Sequence, residues 1–108
     1  VSASPYELLK NKLFKANIYE YFSYVIGGDL VKRNKPYPDI YIKAISELQT
    51  TKNIVIEDSP PGISSGKASN SFVLAIDRGI FSKNELIKAD LVVDNLSIDT
   101  LETISNSL

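Results

Sequence analysis

The stretch from Asn53 to Gly66, NIVIEDSPPGISSG, constrains the fold of this chain more than any other part. Residues 54–56 form a short, fully apolar, β-branched run, which is typical of a strand buried on both faces of a parallel sheet. Ser59 and the two prolines after it supply a helix cap and the backbone angle that a first helical turn accepts. Glu57 and Asp58 lie between strand and helix. Ligands of open α/β sheets bind outside the carboxyl ends of strands, so these acids mark the expected site.

The rest of the chain alternates strand-like and helix-like segments around this stretch. The predicted strands are Val1–Ala3 (as the end of a strand), 23–26, 54–56, 72–76 and 91–93, and a helix is predicted after each of them. Ser4 is predicted to cap the first of these helices in a capping box with Glu7. Alternating elements with short joins imply an α/β fold, a Rossmann-like three-layer α/β/α sandwich with a parallel sheet covered on both faces.

Composition excludes several classes of function. The chain has no cysteine and no histidine, which excludes disulfides, thiolate nucleophiles and Ser-His-Asp chemistry. Its 12 basic and 13 acidic residues nearly cancel, so no net field favours nucleic acid or an anionic membrane. No apolar run approaches the ~20 residues of a membrane span, and no stretch has the basic region and apolar core of a signal peptide. We therefore expect a cytoplasmic protein that binds neither nucleic acid nor membrane.

Polar residues at the predicted strand ends form a candidate site for a phosphate and a metal ion. The hydroxyl of Ser2 and the amide of Ala3 would meet an anion near a helix N-terminus. Lys35 would bring a positive charge beside that anion. Glu57 and Asp58 are hard oxygen ligands suited to Mg²⁺, whose charge also screens a phosphate.

Each of these features also has a purely structural interpretation. Ser2 alone is a surface serine, Lys35 alone is a solvated lysine, and the two acids could serve only the dipole of the following helix. Asp29, at a further strand end, is best explained by turn chemistry beside two glycines. The joint occurrence of the other features, and not any one of them, indicates a site.

Residues 62–68, GISSGKA, look like a phosphate-binding P-loop, but the two glycines are one residue too close and alanine replaces the magnesium-binding Ser/Thr. The segment also lies inside a predicted helix. Gly66 is better explained as a place where helix and sheet approach closely.

Two longer motifs indicate a family. Residues 35–41, KPYPDIY, and residues 55–63, VIEDSPPGI, followed by Gly66, resemble the third and fourth motifs of the haloacid dehalogenase superfamily. The Glu-Asp-Ser-x-x-Gly-Ile form is similar to its β-phosphoglucomutase-like branch, which includes sugar-phosphate phosphatases. Residues 1–4 fall where the second motif belongs, so the resemblance covers essentially the whole chain.

The resemblance implies a phosphatase or phosphomutase that acts on a small phosphorylated metabolite, such as a sugar phosphate, by Mg²⁺-dependent transfer through an aspartyl-phosphate. In that scheme Ser2, with the amide of Ala3, would bind the transferring phosphoryl group. Lys35 would steady the charge of that group and of the nucleophile. Glu57 and Asp58 would bind or orient Mg²⁺.

The chain departs from the family pattern in one respect that matters for activity. The family's nucleophile and acid/base partner are two aspartates in an Asp-x-Asp-Gly motif, and no Asp-x-Asp occurs here. The helical cap domain of this branch is missing as well. We therefore expect residues 1–108 to be the C-terminal part of the core domain, inactive alone, with the missing N-terminal half as partner. The alternative is a catalytically dead relative that binds a phosphorylated ligand or a partner protein.

Overall fold

A three-stranded parallel sheet organises the computed structural model, which describes all 108 residues. The strands are β1 (Ile54–Glu57), β2 (Phe72–Ile76) and β3 (Leu91–Val93), in the spatial order β1-β2-β3. Ile56 lies opposite Leu74 of β2, which lies opposite Leu91 of β3. The predicted α/β class with a parallel sheet is therefore confirmed.

Five α-helices accompany the sheet. They are α1 (Tyr6–Lys15), α2 (Asp39–Leu48), α3 (Pro60–Ala68), α4 (Lys83–Leu86) and α5 (Ile98–Ser107), with short 3-10 helices at Tyr19–Tyr21 and Gly28–Leu30. The predicted cap of α3 is present, since the Gly62 amide donates to Ser59 Oγ at 3.3 Å. None of the helices combines the length and the apolar character that crossing a membrane requires.

The hydrophobic core lies on one face of the sheet, between β1 and β2 and helices α2 and α3. Its buried members include Ile40, Ala44, Val55, Ile63, Val73 and Ala75. Gly66 of α3 faces the two strands so closely that a Cβ there would lie 2.8 Å from Val73 Cγ2 and 2.9 Å from Val55 Cγ1. This confirms the predicted close approach of helix and sheet, which positions the start of α3 directly over the end of β1.

Two predicted strands are wrong. Residues 1–3 and 23–26 run beside each other without forming part of a sheet. They share one backbone bond, from the Ser2 amide to the Ile26 carbonyl at 3.2 Å, and just beyond them the Gly28 amide donates to the Ser4 carbonyl at 2.9 Å. A regular strand requires a continuous ladder, and these segments have no further neighbour because β1 pairs with β2 alone.

The predicted burial of residues 54–56 on both faces is only half correct. Val55 is 5% exposed and belongs to the core, whereas Ile56 is 42% exposed. Successive side chains of a strand point to opposite faces, and β1 is an edge strand of this sheet. Its outer edge and its second face are therefore open.

The predicted capping box at the start of α1 is also wrong. The cap position is Pro5, and no side chain next to it in sequence makes the capping bond. The Tyr6 amide instead donates to Asp29 Oδ1 at 2.8 Å. A carboxylate at this position also interacts favourably with the helix dipole, so Asp29 has a structural role outside the candidate site.

Candidate active site

A cavity of about 650 Å³ opens at the carboxyl end of β1. It lies between the N-terminal residues, the turn before α2, and the ends of all three strands. All five residues predicted for the site line this cavity: Ser2, Ala3, Lys35, Glu57 and Asp58. The structure thus brings together side chains from three separate parts of the chain, while Asp29 lies outside the group.

Glu57 occupies the inner wall of the cavity and has two donors on one oxygen. Its Oε1 accepts hydrogen bonds from Lys35 Nζ and from the hydroxyl of Tyr41. The exposed fractions of the Glu57 and Lys35 side chains are 7% and 17%. Gly62 closes the other side, because a Cβ there would lie 1.9 Å from Glu57 Oε2. Glu57 is therefore enclosed by protein atoms, and its charge is balanced by Lys35.

Tyr41 is a site residue that the sequence did not reveal, since its spacing marked it only as part of the apolar face of α2. Burial, followed by the hydrogen bond to Glu57, raises the pKa of the Tyr41 hydroxyl above its ordinary value. The hydroxyl is therefore a neutral donor at every physiological pH. The usable signal was its place in the same short motif as Lys35, KPYPDIY.

Asp58 has the opposite environment from its neighbour. Its side chain is 49% exposed, and its Oδ2 accepts a hydrogen bond of 3.2 Å from Arg78 Nη1. Arg78 follows β2 and lines the cavity, as do Asp94 and Asn95, which follow β3. No sequence motif pointed to these three residues, although each stands just after a strand end.

The N-terminal wall offers donors suited to an anion. Ser2 Oγ accepts a hydrogen bond from the Ser4 amide at 3.1 Å, which leaves the hydroxyl hydrogen of Ser2 free to donate. The amide of Ala3 donates no hydrogen bond within the chain. Together with the Lys35 ammonium, these groups form a set of donors along one cavity.

The residues of this cavity fit a magnesium ion in a limited sense. The chain contains no group of three acidic side chains close enough to enclose a metal ion by themselves. Asp58 nevertheless presents a solvent-facing carboxylate, and Mg²⁺ sites commonly use one or two carboxylates together with substrate phosphate oxygens and waters. Asp58 fits that role, whereas the contacts of Glu57 leave it poorly placed as a direct ligand.

Comparison with known proteins identifies the class to which this site belongs. Residues 1–76 match the family model for haloacid dehalogenase-like hydrolases. The chain therefore belongs to the haloacid dehalogenase-like hydrolase family. Within it, the solved structures that it resembles include a β-phosphoglucomutase, in keeping with the branch that the motifs indicated.

Two curated relatives are phosphatases. The chain is 37% identical over 79 residues to a bifunctional riboflavin kinase/FMN phosphatase of Arabidopsis thaliana, covering 71% of this chain and 21% of that protein. It is 30% identical over 70 residues to a phosphorylated carbohydrates phosphatase of Thermotoga maritima, covering 63% of this chain and 32% of that protein. The chain thus spans at most about a third of the length of these two relatives.

The fold comparison agrees with the family. The structure superposes on a β-phosphoglucomutase from Clostridium difficile with a TM-score of 0.78 and 27% sequence identity. The superposition covers 90% of this chain and 44% of that protein. The predicted family and Rossmann-like fold are therefore confirmed for the residues described.

Proposed function

We propose that this chain is the C-terminal part of the core of a phosphatase or phosphomutase that acts on a small phosphorylated metabolite, such as a sugar phosphate, by Mg²⁺-dependent phosphoryl transfer. One observation carries the proposal: Ser2, Lys35 and Asp58 come from three separate segments and line one cavity. Membership of the hydrolase family and the similarity to two phosphatases support the reaction class.

In this proposal, one wall of the cavity binds the phosphoryl group and the other binds the metal ion. On the N-terminal wall, the Ser2 hydroxyl and the Ala3 amide donate to the oxygens of the phosphoryl group. Lys35 adds a positive charge, and its ammonium is directed by the Glu57 carboxylate. Donors that are already oriented stabilise the charge of a transferring phosphoryl group without the cost of reorganisation.

The other wall would hold the metal. Asp58 would bind Mg²⁺, which when bound neutralises phosphate charge and polarises the phosphoryl group. Glu57 would act indirectly, because it orients Lys35 and fixes the backbone from which Asp58 projects. Asp58 must leave Arg78 to take part, and an exposed ion pair of this kind is weak enough to exchange.

The nucleophile is the part of the reaction that this chain does not supply, since it contains no Asp-x-Asp. We propose that an N-terminal segment of the same enzyme supplies it, on a strand that pairs with the free edge of β1. The purified chain alone is then expected to bind phosphate without turning over a phosphate ester.

Calorimetric titration of the purified chain with inorganic phosphate, in the presence of Mg²⁺, tests the site. Lys35→Met and Asp58→Asn are each expected to weaken binding by about tenfold, the effect of losing one charged contact. Lys43→Met, on the far side of α2, is the matched control and is expected to bind as the wild type does. Unchanged affinity for phosphate in both Lys35→Met and Asp58→Asn would overturn the proposed site.

A release assay with glucose 1-phosphate and FMN tests the second part of the proposal. No phosphate release is expected from the chain alone. Mg²⁺-dependent release that disappears in Asp58→Ala would contradict the need for an outside nucleophile while leaving the site itself in place.

A further inference from the structure

We infer that Tyr41 is a positioning residue: its hydroxyl, acting through the Glu57 carboxylate, directs the ammonium of Lys35 toward the cavity. The inference rests on the proposed function only for the purpose of this positioning, which is that the Lys35 ammonium meets a phosphate in the cavity. It concerns the hydroxyl of Tyr41, to which the family resemblance assigns no role.

The first support is the convergence of two donors on one acceptor. Lys35 Nζ and the Tyr41 hydroxyl both donate to Glu57 Oε1, so the carboxylate joins the two side chains. Tyr41 is 8% exposed, and Glu57 and Lys35 are also shielded from solvent. Hydrogen bonds in such a shielded place are stronger than those at a surface, because water competes less for their donors and acceptors.

The second support is the difference in rigidity between the two donors. Lys35 lies on a turn before α2, outside any helix or strand. Tyr41 lies on α2 and belongs to the buried core cluster with Ala44 and Val55. The core therefore provides a fixed point from which the Glu57 carboxylate, and through it the Lys35 ammonium, can be oriented.

The third support is the close fit around the carboxylate itself. The absence of a side chain at Gly62 leaves room for Glu57 Oε2 and for nothing larger, since a Cβ would come within 1.9 Å of it. The carboxylate is thus confined on one side by α3, while the two donors meet its other oxygen. With the carboxylate confined in this way, the direction of the Tyr41 bond determines where Lys35 Nζ lies.

Lys35 also contacts the ring of Tyr41. Tyr41 could therefore act on Lys35 through its ring or through its hydroxyl, and a single substitution distinguishes the two. Lys35 Nζ lies 5.3 Å from the ring centroid, within the range of a cation–π contact. Tyr41→Phe keeps the ring and removes only the hydroxyl. An effect of that variant on Lys35 is therefore an effect of the hydrogen bond to Glu57.

The chain supplies its own matched control at Tyr37, two residues after Lys35. The guanidinium of Arg33 lies 4.4 Å from the ring centroid of Tyr37, which repeats the cation-over-tyrosine arrangement. Tyr37 is 50% exposed, and its hydroxyl makes no hydrogen bond within the chain. Tyr37→Phe is thus the same chemical change in the same motif without the proposed contact.

Nuclear magnetic resonance of the lysine side-chain nitrogens tests the inference directly. The wild-type chain is expected to show one ammonium group, that of Lys35, protected from exchange with water. In Tyr41→Phe its exchange should accelerate about tenfold, as loss of a hydrogen bond to a charged acceptor implies. Tyr37→Phe should leave it unchanged. An unaltered Lys35 signal in folded Tyr41→Phe, or no protected signal in the wild type, would overturn the inference.

Phosphate titration adds a readout that a merely structural role would not change. With Mg²⁺ present, Tyr41→Phe is expected to weaken inorganic phosphate binding about 3- to 10-fold, and Tyr37→Phe less than about 2-fold. Phosphate affinity is measured at a temperature well below the melting temperature of the variant. If Tyr41→Phe melts at a lower temperature but binds phosphate as the wild type does, Tyr41 has only a structural role in the core.

The two proposals fail in different ways. If the wild type binds no phosphate but its Lys35 ammonium is protected and depends on Tyr41, the proposed function fails and the positioning contact stands. If Tyr41→Phe does not fold, Gly62→Ala tests the link on which the inference depends: it displaces the Glu57 carboxylate from both donors, so the Lys35 ammonium is expected to lose its protection. A protected signal in Gly62→Ala would then count against the inference.

Discussion

Glu57 and Asp58 are adjacent carboxylates with nearly the same chemistry, yet the structure places them in contrasting surroundings. The side chain of Glu57 is 7% exposed, and that of Asp58 is 49% exposed. Glu57 meets a lysine and a tyrosine inside the protein, whereas Asp58 meets Arg78 in solvent. The alternation of side chains along a strand separates them, and it turns one acid into a structural support and leaves the other free to exchange partners.

The difference in burial also decides how much each acid contributes to stability. An exposed ion pair contributes little, because solvent screens it and both side chains lose freedom. Removal of one partner from a buried pair is costly, since the remaining charge is left without compensation. The chain thus places its stable ion pair on the inner wall of the cavity and its replaceable one at the rim.

The largest expected effect is the loss of stability when the charge of Glu57 is removed, compared with removal of the charge of Asp58. Glu57→Gln is expected to lower the free energy of unfolding by about 3 kcal/mol, because Lys35, whose side chain is only 17% exposed, loses its counter-charge. Asp58→Asn is expected to change it by less than about 0.5 kcal/mol. Urea denaturation of both variants measures the difference, and equal losses would contradict the distinction between the two acids.

A second prediction tests the confinement of Glu57. Gly62→Ala is expected to destabilise the chain by about 1–3 kcal/mol, because the new methyl group overlaps the Glu57 carboxylate and forces it to move. Ser64→Ala, also on α3, is the control and is expected to change stability by less than about 0.5 kcal/mol. Thermal and urea unfolding give the comparison. A neutral Gly62→Ala would show that the carboxylate has room to turn.

A third prediction concerns the stability of the chain at alkaline pH and depends on Tyr41, the buried partner of Glu57. Burial and the bond to Glu57 raise the pKa of Tyr41 in the folded chain, whereas unfolding returns it to its ordinary value of 10.0. Above that pH the unfolded chain binds fewer protons than the folded one, so stability falls as pH rises. The expected loss from this group is about 1.4 kcal/mol per pH unit.

Urea unfolding at pH 9 and pH 11 measures this loss. Tyr41→Phe should lack that part of the decline, and Tyr37→Phe should retain it. If stability declines equally in the wild type and in Tyr41→Phe, the pKa of the Tyr41 hydroxyl is not raised by folding.

The smallest effect is expected at the rim. Arg78→Gln removes the cation that competes with Mg²⁺ for Asp58, so the affinity for Mg²⁺ should rise by about 2- to 5-fold, in line with the small free energy of an exposed ion pair. Arg33→Gln breaks a comparable surface pair, that of Arg33 Nη2 with Asp39 Oδ1 at 2.9 Å, and should leave Mg²⁺ affinity unchanged. Calorimetric titration with Mg²⁺ distinguishes them. Equal affinities in wild type and Arg78→Gln would show that the arginine does not compete.

Sequence patterns succeeded where neighbouring residues decide the outcome. Ser82 and Glu85, which have the spacing of a capping box, form one at α4, and Ser97 Oγ accepts from the Thr100 amide at 3.2 Å at the start of α5. Asn70 follows α3 with a left-handed backbone, φ of 63°, a conformation that asparagine tolerates at the end of a helix. In each case the two interacting groups lie within a few residues of each other, so the local sequence contains all of the information.

The same patterns failed where a distant residue decides. The start of α1 has the letters of a capping box, but Asp29 makes the bond from 23 positions away. Residues 23–26 have the composition of a strand, but a strand exists only where a neighbour completes its ladder. Neither the better cap nor the missing neighbour is visible in a local pattern.

The sequence alone determined the order of elements from β1 to α5, the place of two acids at the end of a buried strand, and the family to which these motifs belong. Periodicity, capping and glycine placement are short-range properties, so they can be recognised in the linear chain. Only the tertiary structure decided which acid is enclosed, that Tyr41 and Lys35 share one of its oxygens, and that Arg78 meets the other acid. Those contacts depend on how α2 packs against α3 and on where the chain turns after β2, and packing between distant segments has no local signature.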